Sequence, residues 1–238
     1  METPTLVLLP GLDGTGDLFG PLISAIGAHF DTLIVRYPTQ EALGYAEIEA
    51  LVRESLPIDK PIVVLGESFS GPIAASIAAS PPANLRGVVL CCTFVSNPQP
   101  WLSSLKIFAG LVNPKWIPLA VTSLLLMGKH STPPLRASLA GALAKVAPNA
   151  FQARLRAILD VNVSAALGEA KVPVLYLQAL QDRLVPASAS KQVIEALSAI
   201  QIARIDGPHF LLQIHPLQTA KAIHKFIQSL ERQSIGTA

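Results

Sequence analysis

Along this chain, short apolar runs of strand length alternate with stretches in which apolar residues recur every three or four positions. Thr5–Leu9 reads as a buried strand. Pro10-Gly11-Leu12-Asp13-Gly14-Thr15-Gly16 then forms a glycine-rich loop leading into a helix over about 17–28. Thr32–Arg36 predicts a second strand, and an amphipathic helix over about 45–56 is ended by Pro57. Ile62-Val63-Val64-Leu65 predicts a third strand, after which the period changes within a few residues. Ile73, Ala74, Ile77 and Ala78 recur at helical spacing until Pro81-Pro82 stops the helix. Arg86–Cys92 reads as a fourth strand. From 97 to 166 the alternation ceases, and helical patterns broken by seven prolines replace it. It resumes with strands over 173–179 and 201–205 and helices over about 187–197 and 216–232.

Strands separated by helices of this length imply an α/β architecture with a mostly parallel sheet of about six strands, covered by helices on both faces. The pattern divides the chain into a core of 1–96 and 167–238 and a helical insertion, 97–166, expected to act as a lid. Half of the 238 residues are hydrophobic, 14% are charged and the mean hydropathy is +0.46, which fits a large core and excludes disorder for most of the chain. No basic segment precedes the first strand, so no signal or transit peptide is expected and the cytoplasm is the expected compartment. The longest apolar stretch, Trp116–Met127, contains Pro118 and is shorter than the roughly 20 residues that cross a bilayer. Cys91 and Cys92, adjacent on a predicted strand, should point to opposite faces and suggest neither a disulfide nor a metal site. The net charge of +2 hides an asymmetry, because 97–166 carries seven basic residues (Lys106, Lys115, Lys129, Arg136, Lys145, Arg154, Arg156) against Asp160 alone.

The chemistry gathers where strand becomes helix, at Gly66-Glu67-Ser68-Phe69-Ser70-Gly71. A serine on a sharp strand–turn–helix bend presents its hydroxyl on strained backbone, as a nucleophile requires. Small residues at 66 and 70 let strand and helix approach, and Pro72 suits a first helical turn. A serine hydroxyl needs a base. His209, in Asp206-Gly207-Pro208-His209-Phe210 beyond a strand's carboxyl end, is favoured over His215, His224, His29 and His130 by its loop position and by the order of nucleophile, acid and base along the chain. The histidine needs an anion to set its tautomer. Asp182, in Gln181-Asp182-Arg183-Leu184-Val185-Pro186, is favoured over Asp206 and Asp160. For the oxyanion formed on attack, the backbone N–H groups of Phe69 and Leu12 are the expected donors. The glycines at 11, 14 and 16 do not read as a phosphate cradle, because no Gly-Lys-Ser/Thr follows.

Together these motifs resemble the α/β-hydrolase superfamily over nearly the whole chain. Leu8–Gly16 matches the oxyanion loop, Gly66–Gly71 the nucleophile elbow, and Asp182 and Gly207-Pro208-His209 the acid and base positions. The layout is most similar to small bacterial carboxylesterases of the pimeloyl-ACP methyl ester esterase type. It departs from the pattern in carrying Pro10-Gly11 for the usual His-Gly, in carrying Ser70 for glycine, and in lacking the antiparallel hairpin that usually opens the sheet. The resemblance implies a serine esterase acting on small acyl esters, the apolar insertion suggests acyl chains of short to medium length, and no cofactor or metal is expected. The alternatives are a thioesterase or acyltransferase whose acyl carrier protein or coenzyme A thioester docks on the basic lid, and a hydrolase fold used as a ligand receptor. No feature points to nucleic acid.

Overall fold

The computed structural model describes residues 3–101, 112–113 and 116–236, with side chains to 232. Lys106, Lys115 and Pro114 of the insertion lie outside the described residues. Six strands form one sheet: β1 (Thr5–Leu9), β2 (Thr32–Ile34), β3 (Ile62–Glu67), β4 (Leu85–Cys91), β5 (Val174–Ala179) and β6 (Gln201–Ile205). Their order is β2-β1-β3-β4-β5-β6 and every pairing is parallel.

Alternation along the strands sorts the core into two layers. Val7, Leu9, Ile62, Val64, Val88, Leu90, Val174 and Tyr176 face α2 (Tyr45–Ser55), α3 (Gly71–Ala79), α7 (Ser164–Gly168) and α8 (Ala187–Ala196). Leu6, Leu8, Val63, Leu65, Val89, Leu175 and Leu177 face α1 (Gly20–Ile26), α9 (Leu211–Ile214) and α10 (Pro216–Gly236). Register then decides which loops meet. Leu9 pairs with Gly66, so the glycine-rich loop and the Ser68 turn leave the sheet side by side. Ala179 pairs with Ile205, which does the same for the loops carrying Asp182 and His209.

Two local expectations change. The helix read over 17–28 is a short α1 between 3-10 turns at Asp17–Phe19 and Gly27–His29. Gly16, with φ 71°, precedes the first 3-10 turn, and Gly27, with φ 59°, ends α1. Strand β4 ends at Cys91, and Cys92 takes φ 47°, which ends the pleat. The two sulfurs lie 3.8 Å apart in one apolar cluster instead of on opposite faces. Asp206, the alternative to Asp182 closest to His209 in sequence, lies just past the end of β6 and accepts a hydrogen bond from Gln181 Nε2 at 2.7 Å.

Between β4 and β5 run α4 (Leu119–Met127), α5 (Pro133–Ala144) and α6 (Pro148–Asp160). The two ends of this insertion are tied together by the antiparallel bridge Ser96–Asn162, with Asn97 N–H donating to Val161 O and Val163 N–H to Val95 O. Its apolar residues meet the core at the carboxyl ends of the strands, where Met127, Leu139 and Ala142 pack with Leu18 and Phe210. Among the described residues no helix is long and apolar enough to cross a membrane.

Candidate active site

Ser68 follows β3 directly and has φ 50°, the left-handed region that a residue with a Cβ adopts only under constraint. Two donors supply that constraint, since Thr93 Oγ1 and the Gly71 amide both donate to Ser68 O. Gly71 has to be glycine, because a Cβ there would overlap the Thr93 side chain. Gly66 has to be small for the reason its sequence position suggested: a Cβ would lie 2.6 Å from Ser70 O and 2.8 Å from Ala74 Cβ.

His209 Nε2 lies 2.9 Å from Ser68 Oγ, and His209 Nδ1 lies 2.8 Å from Asp182 Oδ2. The other Asp182 oxygen accepts the Leu184 and Val185 amides, each at 2.8 Å, which fixes the carboxylate. Both side chains are nearly inaccessible. Burial by itself lowers the pKa of His209, but Asp182 and, to a smaller degree, Glu67 outweigh it and leave the histidine above its ordinary value of 6.5. The alternatives are elsewhere. His215 stacks edge-on with His130, and His224 with His29, both away from Ser68.

Sequence reasoning missed four contributors. Glu67 precedes Ser68 and is buried, with its Oε1 accepting from Gln213 Nε2 at 2.9 Å. Burial pushes its carboxyl up to about 7, with Asp13 adding to the rise and Gln213 and His209 opposing it. Its parity with Val63 and Leu65 on β3 puts it on the sheet face covered by α1, α9 and α10, where Gln213 lies, a signal present in the sequence. Ser70 does more than save space: its hydroxyl donates to Pro10 O and accepts from Tyr37 Oη, 2.6 Å away, so it joins the elbow to the glycine-rich loop. Tyr37 remains a donor because burial raises its pKa. Arg154 of α6 is fully buried and reaches Leu12 O, Asp13 O and Pro38 O.

That burial corrects the expected basic surface of the insertion. Arg154 is not available to a partner, and Lys145 is engaged by Asp17 at 2.5 Å. The glycine-rich loop lies against Ser68, since a Cβ on Gly11 would be 4.0 Å from Ser68 Cβ. Phe69 is buried, stacked on Tyr45 with ring centroids 4.6 Å apart. A cavity of about 260 Å³ opens over Ser68 and His209, and its walls are apolar: Leu18, Leu125, Leu126, Leu139, Leu143 and Phe151. Among the described residues no cluster of side chains could hold a metal ion.

A parallel sheet with helices on both faces, carrying these groups at the carboxyl ends of its strands, defines an α/β hydrolase. The profile of the family described as serine aminopeptidase, S33 (Hydrolase_4) matches residues 45–210, and the chain belongs to that family. Among solved structures it is similar to the hydrolase olei00960 from Oleispira antarctica, with a TM-score of 0.82, 16% identity and coverage of 96% of this chain and 92% of that one. It is also similar to the esterase RhEst1 from Rhodococcus sp. ECU1013, with a TM-score of 0.75, 21% identity and coverage of 95% and 91%. A thermophilic esterase from Thermogutta terrifontis gives a TM-score of 0.81 at 15% identity, with coverage of 95% and 90%. At these identities the likeness is one of fold. A stretch of 84 residues is 32% identical to phytyl ester synthase 1, chloroplastic, from Arabidopsis thaliana, and spans 33% of this chain but 12% of that protein's length.

Proposed function

We propose that the protein is a serine carboxylesterase that cleaves esters of short to medium acyl chains through an acyl-enzyme on Ser68. The observation that carries this reading is the chain of contacts Ser68–His209–Asp182 at the floor of an apolar cavity. Ser68 Oγ attacks the ester carbonyl while His209 Nε2 takes its proton. Asp182 holds the proton of His209 on Nδ1 and stabilises the imidazolium. The tetrahedral oxyanion sits between the Leu12 and Phe69 amides, each contributing about 3 kcal/mol. His209 then protonates the departing alcohol, and water, activated by the same histidine, releases the acid. The cavity takes the acyl chain, and the 97–166 insertion acts as its lid. The sequence resemblance to pimeloyl-ACP methyl ester esterases points to the same chemistry.

A second reading keeps the acyl-enzyme and replaces water by an alcohol. It is favoured by the partial match to a plant protein named as an ester synthase, and by apolar walls that disfavour water.

Hydrolysis of p-nitrophenyl esters from acetate to palmitate by the native chain and by Ser68→Ala tests both. Activity that peaks at a short or medium chain and falls by at least about 1,000-fold in the variant is expected. A native chain inactive across the series, or a variant that retains turnover, overturns the esterase reading. Ester product exceeding acid in the presence of a long-chain alcohol makes transfer the main activity.

A further inference from the structure

We infer that Arg154, contributed by α6 of the insertion, is the positioning residue that sets the oxyanion loop; the inference rests on the esterase reading above. Residues 11–14 form a tight turn closed by Gly14 N–H donating to Gly11 O at 3.0 Å. The next two carbonyls both turn to one guanidinium group, with Arg154 Nη1 donating to Leu12 O at 3.0 Å and to Asp13 O at 2.8 Å. Arg154 Nη2 donates to Pro38 O at 2.8 Å, which ties the loop to the chain leaving β2. The carbonyls of Gly11, Leu12 and Asp13 are thus all engaged on one side.

Because a trans peptide sets N–H and C=O in opposite directions, the Leu12 amide is turned away from the Gly11 carbonyl. It donates to no protein acceptor among the described residues. An N–H left over in a loop that lies against Ser68 is a donor prepared for a group absent from the resting protein. Gly14 completes the fit, because its φ is +69° and a Cβ there would overlap the Arg154 guanidinium. Tyr37 flanks the guanidinium, whose carbon lies 5.7 Å from the ring centroid.

The arrangement is costly enough to need a reason. A fully buried arginine normally pairs with a carboxylate, yet this one spends its donors on backbone carbonyls, and its Nε finds no acceptor among the described residues. Asp13, whose charge favours the protonated guanidinium, turns its Oδ1 to Thr15 instead. A single planar fork spanning three carbonyls is a geometry that lysine cannot reproduce. The consequence is that the insertion does more than roof the cavity. The loop that binds the oxyanion holds its shape only while α6 is docked.

The test compares the native chain with Arg154→Met, Arg154→Lys and Lys145→Ala, the last removing a surface contact between insertion and core that leaves the loop alone. Three quantities are read: kcat and KM on p-nitrophenyl butyrate, affinity for an alkyl boronic acid whose tetrahedral adduct mimics the oxyanion, and amide hydrogen exchange over residues 10–16. For Arg154→Met, kcat is expected to fall about 100-fold with KM within about threefold, boronate affinity to weaken in parallel, and exchange over 10–16 to accelerate. Arg154→Lys should recover part of each, and Lys145→Ala should match the native chain. Should Arg154→Met fail to fold, Arg154→Lys carries the same comparison. Unchanged exchange over 10–16, or a loss confined to KM, overturns the inference and leaves Arg154 a strut between insertion and core. If instead the native chain hydrolyses no ester, the esterase reading fails, and the exchange measurement alone decides whether Arg154 holds the loop.

Discussion

Asp182 and Glu67 are both carboxylic acids near His209, and their surroundings give them different work. Asp182 has an oxygen on the histidine and two backbone amides on the other, so its negative charge is solvated by the protein. Glu67 has one amide donor and is otherwise cut off from water, and burial above all raises its pKa from 4.5 to about 7. The native state therefore holds this proton in a range where the unfolded chain has lost it. Stability from the protonated form is complete below about pH 4.5 and is lost as pH rises towards 7, by an amount on the order of 3 kcal/mol. Glu67→Gln should accordingly raise the thermal midpoint at pH 8 and leave it nearly unchanged at pH 4.5, as calorimetry at the two pH values would show. The same substitution removes a charge that holds the His209 pKa up. The proposed mechanism requires the neutral imidazole, so the acidic limb of the native pH profile should lie above 6.5 and move to lower pH in Glu67→Gln. An unmoved limb would mean that Glu67 does not act on the histidine.

At the scale of elements, the unit that matters is β3, its turn and α3. A strand that ends buried, a residue at φ 50° and a helix starting within three residues bring backbone close to backbone, and Gly66 and Gly71 are the places where no Cβ fits. Thr93, just after β4, holds the turn from outside through Ser68 O. Gly71→Ala drives a methyl group into that threonine, a contact that only backbone movement relieves. A loss of about 1–3 kcal/mol in urea unfolding is expected, with a fall in kcat larger than the loss of folded protein explains. Unfolding midpoint and active-site titration together separate the two effects. Ser70, where a glycine is usual in the family, shows an element-scale compensation, because its hydroxyl joins the turn to Pro10 and Tyr37.

Across the whole molecule, charge and covering are separate matters. The insertion carries most of the excess positive charge, yet its most buried cation points inward to the glycine-rich loop and another is paired with Asp17 on the core. Lys129 and Arg156 are exposed on the described surface and Arg136 is half-buried. With Arg154 buried and Lys145 paired, the described part of the insertion should not discriminate between neutral and anionic acyl donors. The ratio of turnover on butyryl-coenzyme A to that on p-nitrophenyl butyrate should hold within about twofold between about 0.05 and 0.5 M salt. A steep fall of the thioester rate alone would restore electrostatic docking on the insertion.

The alternation of apolar strands with helical stripes was by itself enough to determine the parallel sheet, its two covered faces and the turn at Ser68, because each depends on spacing within about ten residues. It also carried Asp182 and His209, since both follow strands whose carboxyl ends lie together in a parallel sheet. What only the tertiary structure decided was which distant groups close on that site. Arg154 bonds a carbonyl 142 positions away, and nothing near it in the chain distinguishes it from the solvated cations of the same segment. Cys92 left its expected face because one positive φ ended the pleat. Periodicity records how a segment meets its neighbours in sequence. A buried cation's partners are set by where two loops and a helix come to rest, and that is a property of the closed fold.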